Sequence, residues 1–245
     1  MTEPNLLADA LAAKRRVWGG WVVGPTVLGP EEFACAGYDY VGFDVQHGYL
    51  GDADVALMLR GLARVPIGTV VRLPGTDPAP IGRVLDAGAD AVIVAMVETA
   101  EQAAAIVAAT RYAPRGVRSF GPLRAGLGLD PAVLEERVSV FAMVETAAGL
   151  AAIDDICTVD GLSGIYVGPA DLAISLGHPP AQAWAQQEVL DAVGHIQRTT
   201  VSAGLISGIH ANTGTLGRAA AERGFQMITL ASESQALRRG AAAHL

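Results

Sequence analysis

Eight short apolar runs, most followed by a helix-like segment, predict a single-domain α/β fold, a (β/α)8 TIM barrel over residues 1–245. Three observations carry this expectation. Strand-like and helix-like segments alternate along the whole chain. Several strand-like runs lack polar alternation, as parallel strands buried on both faces do. The length of 245 residues suits one barrel with a large core. No G-x-G-x-x-G follows the first run, which argues against the simplest dinucleotide-binding sheet.

The elements follow in order. Asn5 to Arg16 reads as an amphipathic helix ending in Lys14-Arg15-Arg16, without the apolar core and cleavage pattern of a signal peptide. Strands are expected at Trp18–Val23, Tyr40–Val45 and Thr69–Leu73. Asp77-Pro78 then opens a helix that Gly88 closes. A fourth strand, Ala91–Met96, precedes a possible capping box of Thr99 and Gln102 and the helix Ala103–Thr110. The fifth strand, Val138–Val144, leads into a helix over Thr146–Ile156, and the sixth is Leu162–Val167. Leu205–Ile209 and Gln226–Leu230 complete the set, with Thr213 and Gly224 bounding the helix Leu216–Arg223. Residues 111–130 and 169–183 are longer than ordinary connections and are read as functional loops.

Composition narrows the partners. Hydrophobic residues make up 51% of the chain, with 29 Gly and 13 Pro, which describes a compact, turn-rich globule. A net charge of −8 and a pI near 5.0, with scattered basic residues, exclude nucleic acid and anionic membrane as expected partners. No apolar run is long enough to span a bilayer. Cys35 and Cys157 lie outside any CxxC spacing and read as buried or half-buried thiols. A soluble, cytoplasmic protein is expected.

Polar residues gather where strands hand over to loops. Asp44, Gln46 and His47 end the second strand, Arg72 the third, Glu145 the fifth and His210 the seventh; Asp171 follows the sixth. In a barrel these positions converge on the catalytic face. Glu145 and Asp171 there can hold a hard divalent cation, with an imidazole for proton transfer and a guanidinium for an anion. Other readings stay open. Glu145 also suits the positive end of the following helix, and Asp171 suits a cap on Leu172–Leu176. His47 is readable as a core histidine and Arg72 as a buried ion-pair partner. On spacing alone Asp86 is an ordinary polar position in a helix, and Glu98 belongs to a first helical turn.

The ordered motifs make the chain resemble a known family. They are Tyr38-Asp39-Tyr40 through Asp44-Val45-Gln46-His47, Val71-Arg72-Leu73-Pro74 with Asp77-Pro78, and Leu85-Asp86-Ala87-Gly88-Ala89. Further along stand Thr110-Arg111-Tyr112-Ala113-Pro114-Arg115-Gly116-Val117-Arg118, Val144-Glu145-Thr146 and Val167-Gly168-Pro169-Ala170-Asp171-Leu172. From Trp18 to Leu230 the chain resembles the metal-dependent (class II) pyruvate aldolases of the HpcH/HpaI type.

The resemblance implies a lyase that reversibly cleaves a 4-hydroxy-2-oxo acid to an aldehyde and pyruvate, or a close analogue such as hydroxypyruvate. It implies that Glu145 and Asp171 bind Mg²⁺, Mn²⁺ or Co²⁺, on which the 2-oxo acid would sit. Gly168 and the N–H groups of Ala170 and Asp171 would receive the substrate carboxylate. Arg72 would contact the ketone oxygen, and Trp21 would touch substrate. His47 would act as acid/base, paired with Asp86 of a neighbouring subunit, with Asp44 and Gln46 supporting from behind. The resemblance also implies a homo-oligomer of dimers, a hexamer, with exchange of the terminal helix. Gln46 stands where many members carry Glu. His210 stands where many carry an apolar residue, and either lines the aldehyde pocket or packs at the strand end. Lys14, the chain's one lysine, lies in the N-terminal helix, so an imine mechanism lacks its nucleophile. Related enolate chemistry, such as oxaloacetate decarboxylation or acyl-CoA lysis, is the alternative, and a silent binding barrel a third reading.

Overall fold

The computed structural model describes residues 5–245. Its strands are β1 Val17–Val22, β2 Tyr40–Asp44, β3 Gly68–Leu73, β4 Ala91–Val94, β5 Ser139–Val144, β6 Gly164–Val167, β7 Ile206–His210 and β8 Met227–Ser232. All pair in parallel in chain order, and β8 closes onto β1 with a register shift between Gly19 and Gly20. The expected (β/α)8 barrel is the architecture found.

Boundaries differ where the backbone turns early. β4 stops at Val94 instead of Met96, because Met96 takes a left-handed φ of 58° that no strand accommodates. β8 runs two residues further than expected, to Ser232. The N-terminal helix spans only Leu6–Ala12, capped by Asn5 and ended near Lys14 at φ 54°. Its Leu7 and Leu11 pack with Val17, Tyr40 and Val70, so it plugs the amino end of the barrel. The segment after β5 is two short helices, Ala147–Ala151 and Ile153–Cys157.

Asp77, Thr99 and Thr213 cap their helices as the sequence indicated. The Thr99 box is only half formed: the Gln102 side chain accepts from Glu98 N (2.7 Å), not from Thr99 N. Gly88 and Gly224 terminate their helices with positive φ. Cys157 is buried, but Cys35 is exposed, since it ends the helix Leu28–Cys35 on the side away from Phe33; both are free thiols. No helix of the described residues is long and apolar enough to cross a membrane.

Two packed regions hold the barrel. Outside it, strand residues such as Val41, Val71, Val92 and Val140 meet the helices through Leu59, Ile81, Ile106 and Ile196. Inside, the hydroxyls of Tyr40 and Tyr166 both reach Thr229 Oγ1, at 2.8 and 2.5 Å. Gly19 and Gly208 leave the room these rings occupy, since a Cβ at either would enter the facing tyrosine. The interior is filled up to this layer. Above it, a cavity opens at the carboxyl end.

Candidate active site

At that end Trp21, Asp44, Arg72, Met143, Gly168, Ala170, Asp171 and His210 surround a cavity of about 230 Å³. Asp44 organises one wall. Its Oδ1 accepts from Arg72 Nε (3.0 Å) and from the backbone N–H groups of Gln46 (3.1 Å) and His47 (3.0 Å). Its Oδ2 accepts from Arg72 Nη2 (2.5 Å) and Trp21 Nε1 (3.1 Å). Burial alone would raise this carboxyl, but the hydrogen bond and charge of Arg72 outweigh it and hold Asp44 below its usual range. The guanidinium is thereby locked in a bidentate fork at the end of β3. Its carbon lies 5.3 Å from the centre of the Trp21 ring, which Gly42 makes room for. Arg72 is thus an ion-pair partner, as one reading of the sequence had it, and also a wall of the cavity.

The opposite wall comes from β5 and β6. Asp171 lies in the first turn of the helix Pro169–Ser175, where the N–H groups of Ala170 and Asp171 precede the first intrahelical bond. Glu145 is only 1% exposed, and its Oε1 accepts from Met96 N (3.0 Å). Its Oε2 is buried without any hydrogen-bond partner. Gly168 packs directly on that oxygen, and a Cβ there would collide with it. Burial pushes the Glu145 carboxyl up to about 7; the Met96 N–H opposes this, and the negative charge of Asp171 adds to it. An unpaired buried carboxylate beside a second carboxylate is costly unless positive charge comes between them.

The donor set fits the cation that the resemblance implies. Two carboxylates offer hard oxygen ligands, one with a lone-pair site free of hydrogen bonds. Among the described residues no third His, Cys, Asp or Glu joins them. Such a set leaves room for substrate oxygens and water around a small divalent ion.

His210 closes the outer side. Its ring meets Trp21 edge-on, with centroids 5.0 Å apart. Burial, then the charge of Arg72, pushes its pKa down to about 4, so it is a neutral imidazole near pH 7. Asn212, Ser232 and Gln235 also line the cavity. The sequence reading missed all three. Ser232 and Gln235 fell beyond the expected end of β8, and Asn212 carried only one signal, a residue type tolerant of its φ of 64°.

Four expected site residues do not line the cavity: Glu145, which packs against Gly168, and three that stand apart from it. His47 is on the exposed loop after β2, its backbone tied to Asp44. It is not the core histidine that an apolar context allowed. Gln46 has its side-chain oxygen buried without a partner. Asp86 ends the helix Pro78–Asp86, at the amino end of the barrel, bonded to Arg118 Nη2 (2.8 Å). Within one chain it does not meet His47.

Known proteins share this framework. The model of the HpcH/HpaI aldolase/citrate lyase family matches residues 19–239. A hydroxypyruvate/pyruvate aldolase of Rhizorhabdus wittichii is 37% identical over 222 residues, covering 89% of this chain and 88% of that one. A 4-hydroxy-2-oxovalerate aldolase of Rhodococcus jostii is 36% identical over 210 residues, 83% of this chain and 81% of that one. Among solved structures, an HpcH/HpaI aldolase/citrate lyase family protein from Burkholderia cenocepacia J2315 has a TM-score of 0.91 at 29% identity, covering 98% of both chains.

Proposed function

The chain belongs to the HpcH/HpaI aldolase/citrate lyase family, and from that premise we propose how its residues carry out aldol chemistry. It is an enzyme, a carbon–carbon lyase of the pyruvate-aldolase type. The reaction is reversible cleavage of a 4-hydroxy-2-oxo acid to an aldehyde and pyruvate, or its analogue hydroxypyruvate. The observation that carries this reading is the pair of facing walls: a guanidinium clamped by Asp44, and two carboxylates of which one has an unpartnered buried oxygen.

Glu145 and Asp171 would hold a divalent cation such as Mg²⁺, Mn²⁺ or Co²⁺. Such an ion supplies positive charge beside the carboxylate and ketone oxygens of a bound 2-oxo acid. The Ala170 and Asp171 N–H groups receive the substrate carboxylate, with Gly168 allowing close approach. Arg72 faces the ketone oxygen, where negative charge develops as the C3–C4 bond breaks and its electron pair moves towards C2. Because Asp44 already fixes the fork, Arg72 needs no reorganisation at that moment. His47 takes the 4-hydroxyl proton, directly or through water, and returns a proton to C3. Asp86 of a second copy orients that imidazole, which requires a homo-oligomer; a hexamer built from dimers with exchanged terminal helices meets the requirement. Trp21 and the neutral His210 border the space left for the aldehyde. Two free thiols accord with a reducing, cytoplasmic setting.

His47→Ala separates the two halves of this chemistry. Oxaloacetate decarboxylation requires no hydroxyl proton to leave and should persist, while aldol cleavage falls by roughly 10²–10⁴-fold, the range for losing a general base. Equal loss of both reactions would assign His47 to substrate binding instead. Chelation should abolish both reactions, and full activity in metal-stripped protein would refute the reading.

A further inference from the structure

Asp86 is a poor choice for its own helix. A carboxylate at a helix C-terminus meets the negative end of the dipole. Yet the long loop after the helix Ala100–Thr110 is built around it. Leu123 N donates to the Asp86 carbonyl (2.8 Å), Arg118 Nη2 donates to its Oδ1 (2.8 Å), and Gly121 packs near its Oδ2. Oδ2 accepts no hydrogen bond from the described residues.

Arg118 is equally unusual. Its side chain is 1% exposed, lies 4.8 Å over the Tyr112 ring, and is bonded to protein through Nη2. Its Nε and Nη1, and the Tyr112 hydroxyl, are buried without partners. Unsatisfied buried donors on a cation cost stability, and an apolar residue would pack there without that cost. Stability therefore does not account for an arginine at this position. Its one side-chain hydrogen bond among the described residues fixes and charge-compensates Asp86.

The surrounding loop also exposes Val117 (66%), Phe120 (50%) and Leu123 (68%). Exposed apolar side chains clustered on one loop mark a contact face. The helix from Pro78 to Asp86 starts at the carboxyl end of the barrel and carries Asp86 roughly 13 Å away, at 1.5 Å per residue. His47 stays at the carboxyl end, exposed, and its side chain has no hydrogen-bond partner among the described residues. Within one chain the acid and the imidazole are held at opposite ends of the barrel.

We propose that Arg118 is a positioning residue: it holds the Asp86 carboxylate so that Oδ2 is presented, across the face of Val117, Phe120 and Leu123, to His47 of a second copy of this chain. This rests on the reading of His47 and Asp86 as a shared acid/base pair, and it adds what sets the geometry of that pair.

The test uses the whole oligomer. Arg118→Ala should lower kcat for aldol cleavage by about 10- to 100-fold, the range for losing a group that orients a functional residue, with little change in KM. Added guanidinium should restore part of the rate. Arg118→Lys, which retains a buried cation, guards against a folding defect and should show a smaller loss of the same kind. Arg118→Ala subunits are then mixed with His47→Ala subunits. Each mixed pair contains one site with intact His47, Asp86 and Arg118, so activity should rise above both parents. Failure of this mixture, where Asp86→Asn mixed with His47→Ala does recover, would place Arg118 in its own chain's fold and overturn the proposal. Failure of both mixtures, with subunit exchange verified by mass, would refute the shared pair itself and the proposal with it.

Discussion

Asp90 and Glu145 are both buried carboxylates, 8% and 1% exposed, at opposite ends of the barrel. Asp90 precedes β4 and is fully engaged. Its Oδ2 accepts from Thr69 N (2.8 Å) and Thr69 Oγ1 (2.9 Å), and its Oδ1 from Arg137 Nη2 (3.0 Å). Glu145 follows β5 with one backbone donor, a neighbouring carboxylate and an oxygen left open. Equal burial thus serves different ends. At the amino end this carboxylate joins elements, while at the carboxyl end Glu145 keeps one oxygen unpaired. Similar divisions occur in other barrels, where one end carries stability and the other the chemistry.

Substitutions at the two ends should separate accordingly. The largest kinetic effect is expected for Glu145→Gln, at least the ~10²–10³-fold loss of aldol rate that follows removal of a preorganised electrostatic group. The same change should leave the metal-free fold as stable as before or more so, because it removes an unpaired buried charge. Thermal unfolding in a chelator measures this, and a large drop in midpoint would make Glu145 a structural acid like Asp90. Arg72→Lys comes next, with loss on the order of 10²-fold, since an ammonium cannot reproduce the fork on Asp44 and still face the cavity. Near-normal kinetics would reduce Arg72 to an ion-pair partner.

Asp90→Ala should do the reverse. Breaking its pair with Arg137 and leaving Thr69 unsatisfied costs about 3–5 kcal/mol of stability. The rate per folded molecule should hold, and a selective loss of kcat would blur the division between the two ends. The smallest effect concerns His210. Its folded pKa of about 4 lies below the ordinary 6.5, so between these values the unfolded chain binds a proton that the folded chain refuses. Its contribution is complete above pH 6.5, declines as pH falls towards 4, and is constant below. His210→Asn should flatten the stability profile in that window by ~1–3 kcal/mol, at about 1.4 kcal/mol per pKa unit. An unchanged slope would mean that the imidazole is hydrated and free to protonate.

The barrel was legible because its strands are buried on both faces and so written as uninterrupted apolar runs. Glu145, Asp171, Arg72 and His210 stood out for a related reason: a charged or polar residue at the end of such a run breaks its apolar pattern. Residues beyond the runs did not. Met96 is an ordinary apolar residue in sequence, and its left-handed backbone and the bond from its N–H to Glu145, beyond the next strand, have no local signal. Gln235 reaches the cavity from the first turn of the terminal helix, and Arg118 finds Asp86 across 32 residues of chain. No local periodicity records contacts of that kind.

The position of Lys14 has a consequence for working life. Aldehydes condense with amines, and an enzyme that releases them in its own cavity is exposed to its product at every turnover. This chain offers a single lysine side chain, exposed at the end of the N-terminal helix and just before β1, on the far side of the barrel from the mouth. Adducts on that amine leave the catalytic face untouched. The chain's other sixteen Lys/Arg cations are arginines, which form no simple imine with an aldehyde at neutral pH.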